Sequence, residues 1–406
     1  MTRDTLLHWI WLTLQTPIGS YAPHKLLQHF SAVDAIFDAD EAAFLQVEGL
    51  NKSRIPYLLD KKLTRAESIL TYCEENGVRI LCCEDFAYPK QLKTLLNYPL
   101  VLYCVGEKYD LNATPCVSMV GPRKMSKYGE AAAKRIGFDL AANGILIVSG
   151  LADGIDGVSH KAALYAEGKT VGVLGCGIDR IYPPCNKELF LRMYTSGMVM
   201  TEFPPDTPPL ARNFPIRNRI IAALSSAVLV VEAGENSGSL ITADCALRQK
   251  RAVFAVPGSI FAETAVGSNH LLRLGVRPCM RFQDMPETLR DEFPDAIPLR
   301  PVLQPVKKAK KESAKGEYLP SFDRKKRPLV EKRVVRDTHA SNKLLEGLSK
   351  EERALYDRLT YEPIAADALV CEERDISKTL RILSALEMKG VVCACPGNRF
   401  MREQLS

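Results

Sequence analysis

The sequence has 406 residues but no uninterrupted apolar run of the roughly 18 residues that a membrane-spanning helix requires. Its one candidate for a targeting segment, Leu6 to Leu14, is interrupted by His8, follows a single Arg and precedes no small-residue cleavage site. That stretch is expected to be a buried helix, in a cytoplasmic protein with no membrane insertion. Twelve cysteines contain no C-x-x-C pair, and Cys393 and Cys395 form only a C-x-C, which argues against a zinc ribbon and against any bound metal. Cysteines inside apolar runs such as Ile80 to Cys83 and Val392 to Cys395 suit small core residues in a reducing compartment. The nucleotide motifs are missing too. Gly234 to Ser239 lacks the register and the Lys of a Walker A loop, and Gly172 to Gly177 runs G-x-x-G-x-G instead of the dinucleotide order G-x-G-x-x-G. Ser149-Gly150 has no G-x-S-x-G elbow around it. Neither an ATPase nor a nicotinamide or serine-hydrolase chemistry is indicated, and no cofactor is expected.

The chain does have enough material for two or three domains. With 46% hydrophobic and 25% charged residues it falls in the globular range. The net charge of +6 is local in origin. Residues 307–336 carry 12 basic and 4 acidic residues, a segment charge of +8, so the rest of the chain sums to −2. A basic segment of this kind raises affinity for a polyanion, or serves as a solvated tether held extended by its charge.

Four segments follow. Residues 1–75 read as short helices at Leu6, Lys25 to Phe30, Asp34 to Asp38, Glu41 to Val47 and Ile55 to Tyr72. Among them, Glu48-Gly49-Leu50-Asn51 has the spacing of a helix-hairpin-helix turn, or simply joins packed helices. Residues 76–284 alternate β-branched runs with helical stretches, the pattern of an α/β fold with a parallel sheet and helices on both faces. The strands are expected at Val78 to Cys82, Leu100 to Val105, Cys116 to Val120, Ile145 to Ser149, Thr170 to Gly175, Met198 to Glu202, Ala227 to Glu232 and Arg251 to Val256. Residues 285–341 form a basic, Pro-rich linker. Residues 342–406 show three amphipathic stretches and then Val391 to Cys395, the turn Pro396-Gly397-Asn398, and Arg399 to Met401, the order of a winged helix. Its recognition helix would be Ile376 to Leu386, with only Lys378 and Arg381 to contact DNA, which weakens a sequence-specific regulator.

In an open parallel sheet, ligands bind beyond the carboxyl ends of the strands. The loops there begin at Gly121, Ser149-Gly150, Gly175 and Gly234, and their glycines would let backbone N–H groups approach an anion. Arg212 to Arg219 concentrates three guanidiniums, two amides and Phe214. Arginine forks onto phosphate and a phenyl ring stacks on an unpaired base. Alternatively, Phe214 is core and the arginines pair with Asp206, Glu202 or Glu232. His160, after Asp153, Asp156 and Ser159, is better explained as a packed side chain than as a catalytic one.

Val120-Gly121-Pro122-Arg123, the run Ser149 to Asp156 with His160, Tyr182-Pro183, Phe214 to Arg219, Ser237 to Ala243 and Pro257-Gly258 together resemble the DNA-processing protein A (DprA) family. The resemblance implies an extended Rossmann-like parallel sheet flanked by a SAM/helix-hairpin-helix-like domain and a winged-helix domain. It also implies a homodimer without catalysis that binds and protects single-stranded DNA and loads RecA recombinase during natural transformation and DNA recombination. Carried over, the DNA-binding residues are Gly121, Arg123, Ser149, Gly150, Asn213, Phe214, Arg217, Asn218, Arg219, Ser237, Gly238 and Ser239. Pro122 stands where the family commonly has Ser, which removes a hydroxyl from the first loop. The sheet is also similar to that of lysine-decarboxylase-like phosphoribohydrolases, which makes a nucleotide-cleaving enzyme the alternative, although Pro257-Gly258 is followed by Ser259-Ile260 and not by their P-G-G-x-G-T.

Overall fold

A computed structural model describes residues 1–285, 289, 348–360, 364–369, 376–389, 391–395 and 399–402. The linker expected at 285–341 and the turn at 396–398 therefore lie almost wholly outside the described residues. The chain divides into two compact units, Met1–Lys307 and Lys308–Ser406.

In the first unit, helices α1 (Arg3–Gln15), α2 (Ala22–Phe30), α3 (Val33–Asp38), α4 (Glu41–Leu45), α5 (Ile55–Leu59) and α6 (Thr64–Glu75) come first. Leu7, Trp9, Ile10, Trp11 and Leu12 are all buried, so α1 is covered on nearly every side, as its apolar sequence requires. The expected continuous helix from Ile55 to Tyr72 is broken at Asp60, whose carbonyl accepts from Trp11 Nε1 (2.8 Å) instead of closing a helical turn. At the suspected hairpin turn, Gly49 takes φ +67° and its carbonyl accepts from Lys25 Nζ (2.7 Å). A lysine of the same helical segment thus covers the place where a phosphate would approach.

Nine strands follow: β1 (Arg79–Cys82), β2 (Val101–Gly106), β3 (Cys116–Val120), β4 (Leu146–Ser149), β5 (Thr170–Val173), β6 (Met198–Thr201), β7 (Ala227–Val230), β8 (Ala252–Ala255) and β9 (Arg277–Pro278). They form one sheet in the order β1-β2-β6-β5-β4-β3-β7-β8-β9. Strands β3 to β7 of its middle are buried at every position, because helices cover both faces. Those helices are α7 (Lys127–Ala142), α8 (Ile155–Tyr165), α9 (Lys187–Ser196), α10 (Asn213–Leu224), α11 (Gly238–Arg248) and α12 (Val266–Arg273). The sheet is parallel from β6 to β9, but β2 runs antiparallel to both β6 and β1. The parallel sheet expected from the sequence is therefore mixed at this edge, and for the β1–β2 pair the reason lies in the connection. Residues 83–100 contain a single short 3-10 turn and no crossover helix, and a parallel pair cannot be joined without a crossover. Leu7 to Leu12 of α1 and Leu100 to Cys104 around β2 belong to one apolar core, so the helical segment and the sheet bury each other.

In the second unit, α13 (Lys350–Tyr356) starts with a capping box between Ser349 and Glu352. Strand β10 (Ile364–Ala365), a 3-10 turn (Ala366–Leu369), α14 (Ile376–Met388) and the pair β11 (Val392–Cys395) and β12 (Arg399–Arg402) complete it, with sheet order β10-β12-β11. Leu355, Leu359, Leu383, Leu386, Val391 and Phe400 make its core. Of the helix-helix-helix-hairpin order read from the sequence, the first and third helices and the paired strands are present among the described residues, whereas the middle stretch shows a short strand and a 3-10 turn.

Candidate nucleic-acid interface

The strand order reverses between β3 and β7, so the loops leaving their carboxyl ends diverge and open a crevice. A cavity of about 570 Å³ fills it. One wall is Val120 to Arg123, at the end of β3, and the opposite wall is Gly234 and Asn236 to Ser239 with Thr242, at the start of α11. Phe214, Arg217, Asn218 and Ile221 rise from α10, Ala152 and Asp156 come from the β4–α8 loop, and Glu263 and Thr264 close the side after β8.

Phe214 is the centre of this arrangement. Tyr182 packs at 5.6 Å on its ring, the Arg123 guanidinium carbon lies 5.4 Å from the ring centroid and that of Arg217 lies 5.7 Å away. Such distances are those of cation–π pairs. The two arginines differ in what holds them. Arg123 is exposed and forms no ion pair among the described residues. Arg217 is buried, and its Nη1 donates to Gly150 O (2.7 Å) and to Val173 O while Nε donates to Asn218 Oδ1 (3.1 Å). Burial brings the Arg217 guanidinium down to about 10, with Asp156 opposing the shift, so it remains a cation at neutral pH. Asp156 is itself pushed up by burial and held down by Arg217, by Ser149 and by backbone amides.

The glycines here serve close packing as much as ligand approach. A Cβ at Gly154, which has φ +79°, would strike the carbonyls of Pro122 and Arg123, so only glycine lets the β4–α8 loop pass beneath the β3–α7 loop. At Gly150, a Cβ would lie 2.6 Å from the Arg217 guanidinium nitrogens. The N–H of Gly150 donates to Asp156 Oδ2 (3.1 Å), so the expected use of this amide as an anion cradle is replaced by an internal carboxylate. By contrast, Gly238 has open space on its Cβ side, and the Ser237 side chain caps α11 by accepting from Ser239 N (3.4 Å). The positive end of α11 thus faces the cavity.

Of the twelve residues expected to bind, Gly121, Arg123, Phe214, Arg217, Asn218, Ser237, Gly238 and Ser239 line the cavity together. Four do not. Ser149 is buried with its hydroxyl donating to Met119 O (2.6 Å), and Gly150 stands behind Arg217. Asn213 is buried and its Nδ2 donates to Pro208 O (3.2 Å). Arg219 forms a buried ion pair with Glu202, its Nη2 lying 2.7 and 2.5 Å from the two carboxylate oxygens. That is the pairing weighed as the alternative for this cluster. Sequence reading missed Asn236, Thr242, Glu263 and Thr264; Thr242 could have been found, since it lies three residues past Ser239 on the same helix face. His160 is fully buried with Nδ1 2.7 Å from Thr170 Oγ1, and burial lowers it to about 3.

Residues 79–290 match the family model described as DNA recombination-mediator protein A, and residues 339–398 match that described as the DprA winged helix domain. The chain belongs to the DprA family. Its DprA relatives include the protein Smf of Escherichia coli (strain K12), 40% identical over 268 residues that span 66% of this chain and 71% of that one. Another is the protein Smf of Synechocystis sp., 31% identical over 99% of this chain and 100% of the relative. Among solved structures, the X-ray structure of DNA processing protein A from Streptococcus pneumoniae is 33% identical and superimposes with a TM-score of 0.61, covering 68% of this chain and 95% of that one. The DprA membership accounts for the ordered run of motifs around the cavity. No helix among the described residues is long and apolar enough to cross a membrane.

Proposed function

We propose that the cavity binds single-stranded DNA, with phosphates at Arg123, at the remaining donor of Arg217 and at the start of α11, and an unpaired base against Phe214. The observation that carries this is the pair of guanidiniums over the Phe214 ring at the switch point of the sheet. A ring of this kind is worth about 1 to 3 kcal/mol per stacked base, and the base must be unpaired to reach it. The family, described as a DNA recombination mediator, agrees with that chemistry.

The wider role follows from the resemblance of the motifs: homodimers that protect the strand and hand it to RecA during natural transformation, without catalysis. The acid–base candidates support a binding role. His160 is bonded to Thr170, Ser159 Oγ donates to Ile155 O (2.8 Å), and Asp156 accepts from Gly150 N. The test is binding of labelled single-stranded and duplex oligonucleotides over a salt series, with nucleotide hydrolysis followed in parallel. Preference for the single strand, a steep salt slope and no turnover are expected; weak binding with release of free base would instead identify a phosphoribohydrolase.

A further inference from the structure

Two large apolar side chains beside the cavity have no packing partner that explains them. Ile260 and Phe261 are 83% and 90% exposed, in the loop that follows β8 and leads directly into Glu263 and Thr264 of the cavity wall. Single exposed apolar residues are ordinary. These two, however, sit on a loop whose backbone is fixed. Gly258 N donates to Asn269 Oδ1 (3.1 Å) and Gly258 O accepts from Asn269 Nδ2 (3.2 Å). Ala262 N donates to Ser259 O (3.1 Å), and Pro257 O accepts from the Tyr128 hydroxyl (2.8 Å).

The last bond joins this loop to the first turn of α7, where the loop after β3 ends. There Tyr128 is 55% exposed, and Lys124 and Lys127 are exposed and form no ion pair among the described residues. Beneath them, the buried carboxylate of Glu232 accepts from Ser126 N (2.9 Å) through Oε2 and from Thr264 Oγ1 (2.6 Å) through Oε1. The loop after β8 and the loop after β3 with the first turn of α7 therefore form one cross-tied lip, basic and aromatic, continuous with the cavity that holds Arg123.

We propose that this lip is a second contact site for the DNA strand as it leaves the cavity, with phosphates at Lys124 and Lys127 and successive unpaired bases against Phe261 and Tyr128. The proposal rests on single-stranded DNA as the cavity's ligand. Charge and continuity favour nucleic acid over a second copy of the chain, because a copy docked symmetrically on this lip would bring the same lysines toward their own counterparts. The fixed backbone also spares the ordering cost that a loose apolar loop would carry on binding.

The experiment compares the full chain with Ile260→Ser/Phe261→Ala and Lys124→Ala/Lys127→Ala on a ladder of oligothymidylates, from lengths that fill only the cavity to several-fold longer. The shortest oligonucleotide is expected to bind all three proteins alike. On the longer ones, the ring variant loses about five-fold or more in affinity with its salt slope intact. The lysine variant loses slope, by roughly 0.7 for each phosphate contact removed. Phe261→Trp supplies an independent signal: its fluorescence is quenched by long oligonucleotides and not by the shortest. An unchanged length dependence in both variants, with no quenching, overturns the lip alone. A native chain that binds no oligonucleotide of any length overturns the cavity's ligand and the lip with it.

Discussion

Arg217 and Arg219 stand two residues apart and serve opposite sides of α10. Successive helical residues turn by about 100°, so residues two apart face nearly opposite ways. Arg217 meets the cavity, and Arg219 meets Glu202 on the far side, where water is excluded. Removing one member of a buried pair leaves the other charged and unpaired, so Arg219→Ala is expected to cost about 3 to 5 kcal/mol in denaturant unfolding. The joint replacement Glu202→Leu/Arg219→Met should cost far less. Strand affinity of the folded Arg219→Ala protein should be unchanged, and a drop would return Arg219 to the binding site. His160 gives a second expectation. It stays neutral in the fold until about pH 3, whereas in the unfolded chain it takes up a proton near its ordinary 6.5. As pH falls from 6.5 towards 3 the unfolded state binds the extra proton, and the native state loses up to about 1.4 kcal/mol per pH unit on this account. His24, lowered to about 4 by burial and by Arg219, adds to the slope over the upper part of that range. His160→Gln should flatten the curve of unfolding free energy against pH between 6.5 and 3; an unaltered slope would show that His160 is not the group responsible.

Helix α10 is where sequence and structure part most instructively. The strands beside it were legible because buried parallel strands must be apolar at nearly every position, and short β-branched runs such as Leu146–Ser149 between Gly144 and Gly150 suit a strand better than a helix. The hairpin of the second unit was legible from its turn residues. The cluster Arg212 to Arg219 pointed to a helix that lines the cavity, but a count of charges along a chain does not say which face each occupies; the helical period does, and it separates Arg217 from Arg219. The antiparallel edge was hidden, since pairing direction depends on what connects β1 to β2 and not on the residues of either strand. Glu263 and Thr264 reach the cavity from a loop distant in sequence, which no local pattern reveals. Around Phe214, the division between ring and cation predicts two distinct phenotypes. Phe214→Ala should weaken single-strand binding with the salt slope nearly intact, while Arg123→Ala, on the facing loop, should reduce both the affinity and the slope. Equal slopes in the two variants would remove the distinction.

At the scale of the whole molecule, the cavity belongs entirely to the first compact unit, whereas the excess positive charge of the sequence belongs to residues 307–336. Deleting those residues should lower non-specific affinity for any nucleic acid, and more so at low salt, while the preference for single strands over duplex persists. Loss of the preference would move the binding site to the deleted segment. In the second unit, Lys378 on α14 is paired with Glu351 (3.1 Å), which leaves Arg381 as the other basic residue on the helix that would enter a groove. The junction inside the first unit has its own consequence. Gly19, between α1 and α2, lies so close over the Glu202–Arg219 pair that a Cβ there would stand 3.7 Å from Arg219 Nε, and its carbonyl is held by Asn97 Nδ2 (2.5 Å). The N-terminal helices thus act as electrical insulation for a charge pair in the sheet domain. A chain trimmed back to the sheet would expose that pair to a high-dielectric solvent and weaken it, so the helical segment contributes to the stability of a sheet whose cavity it does not line.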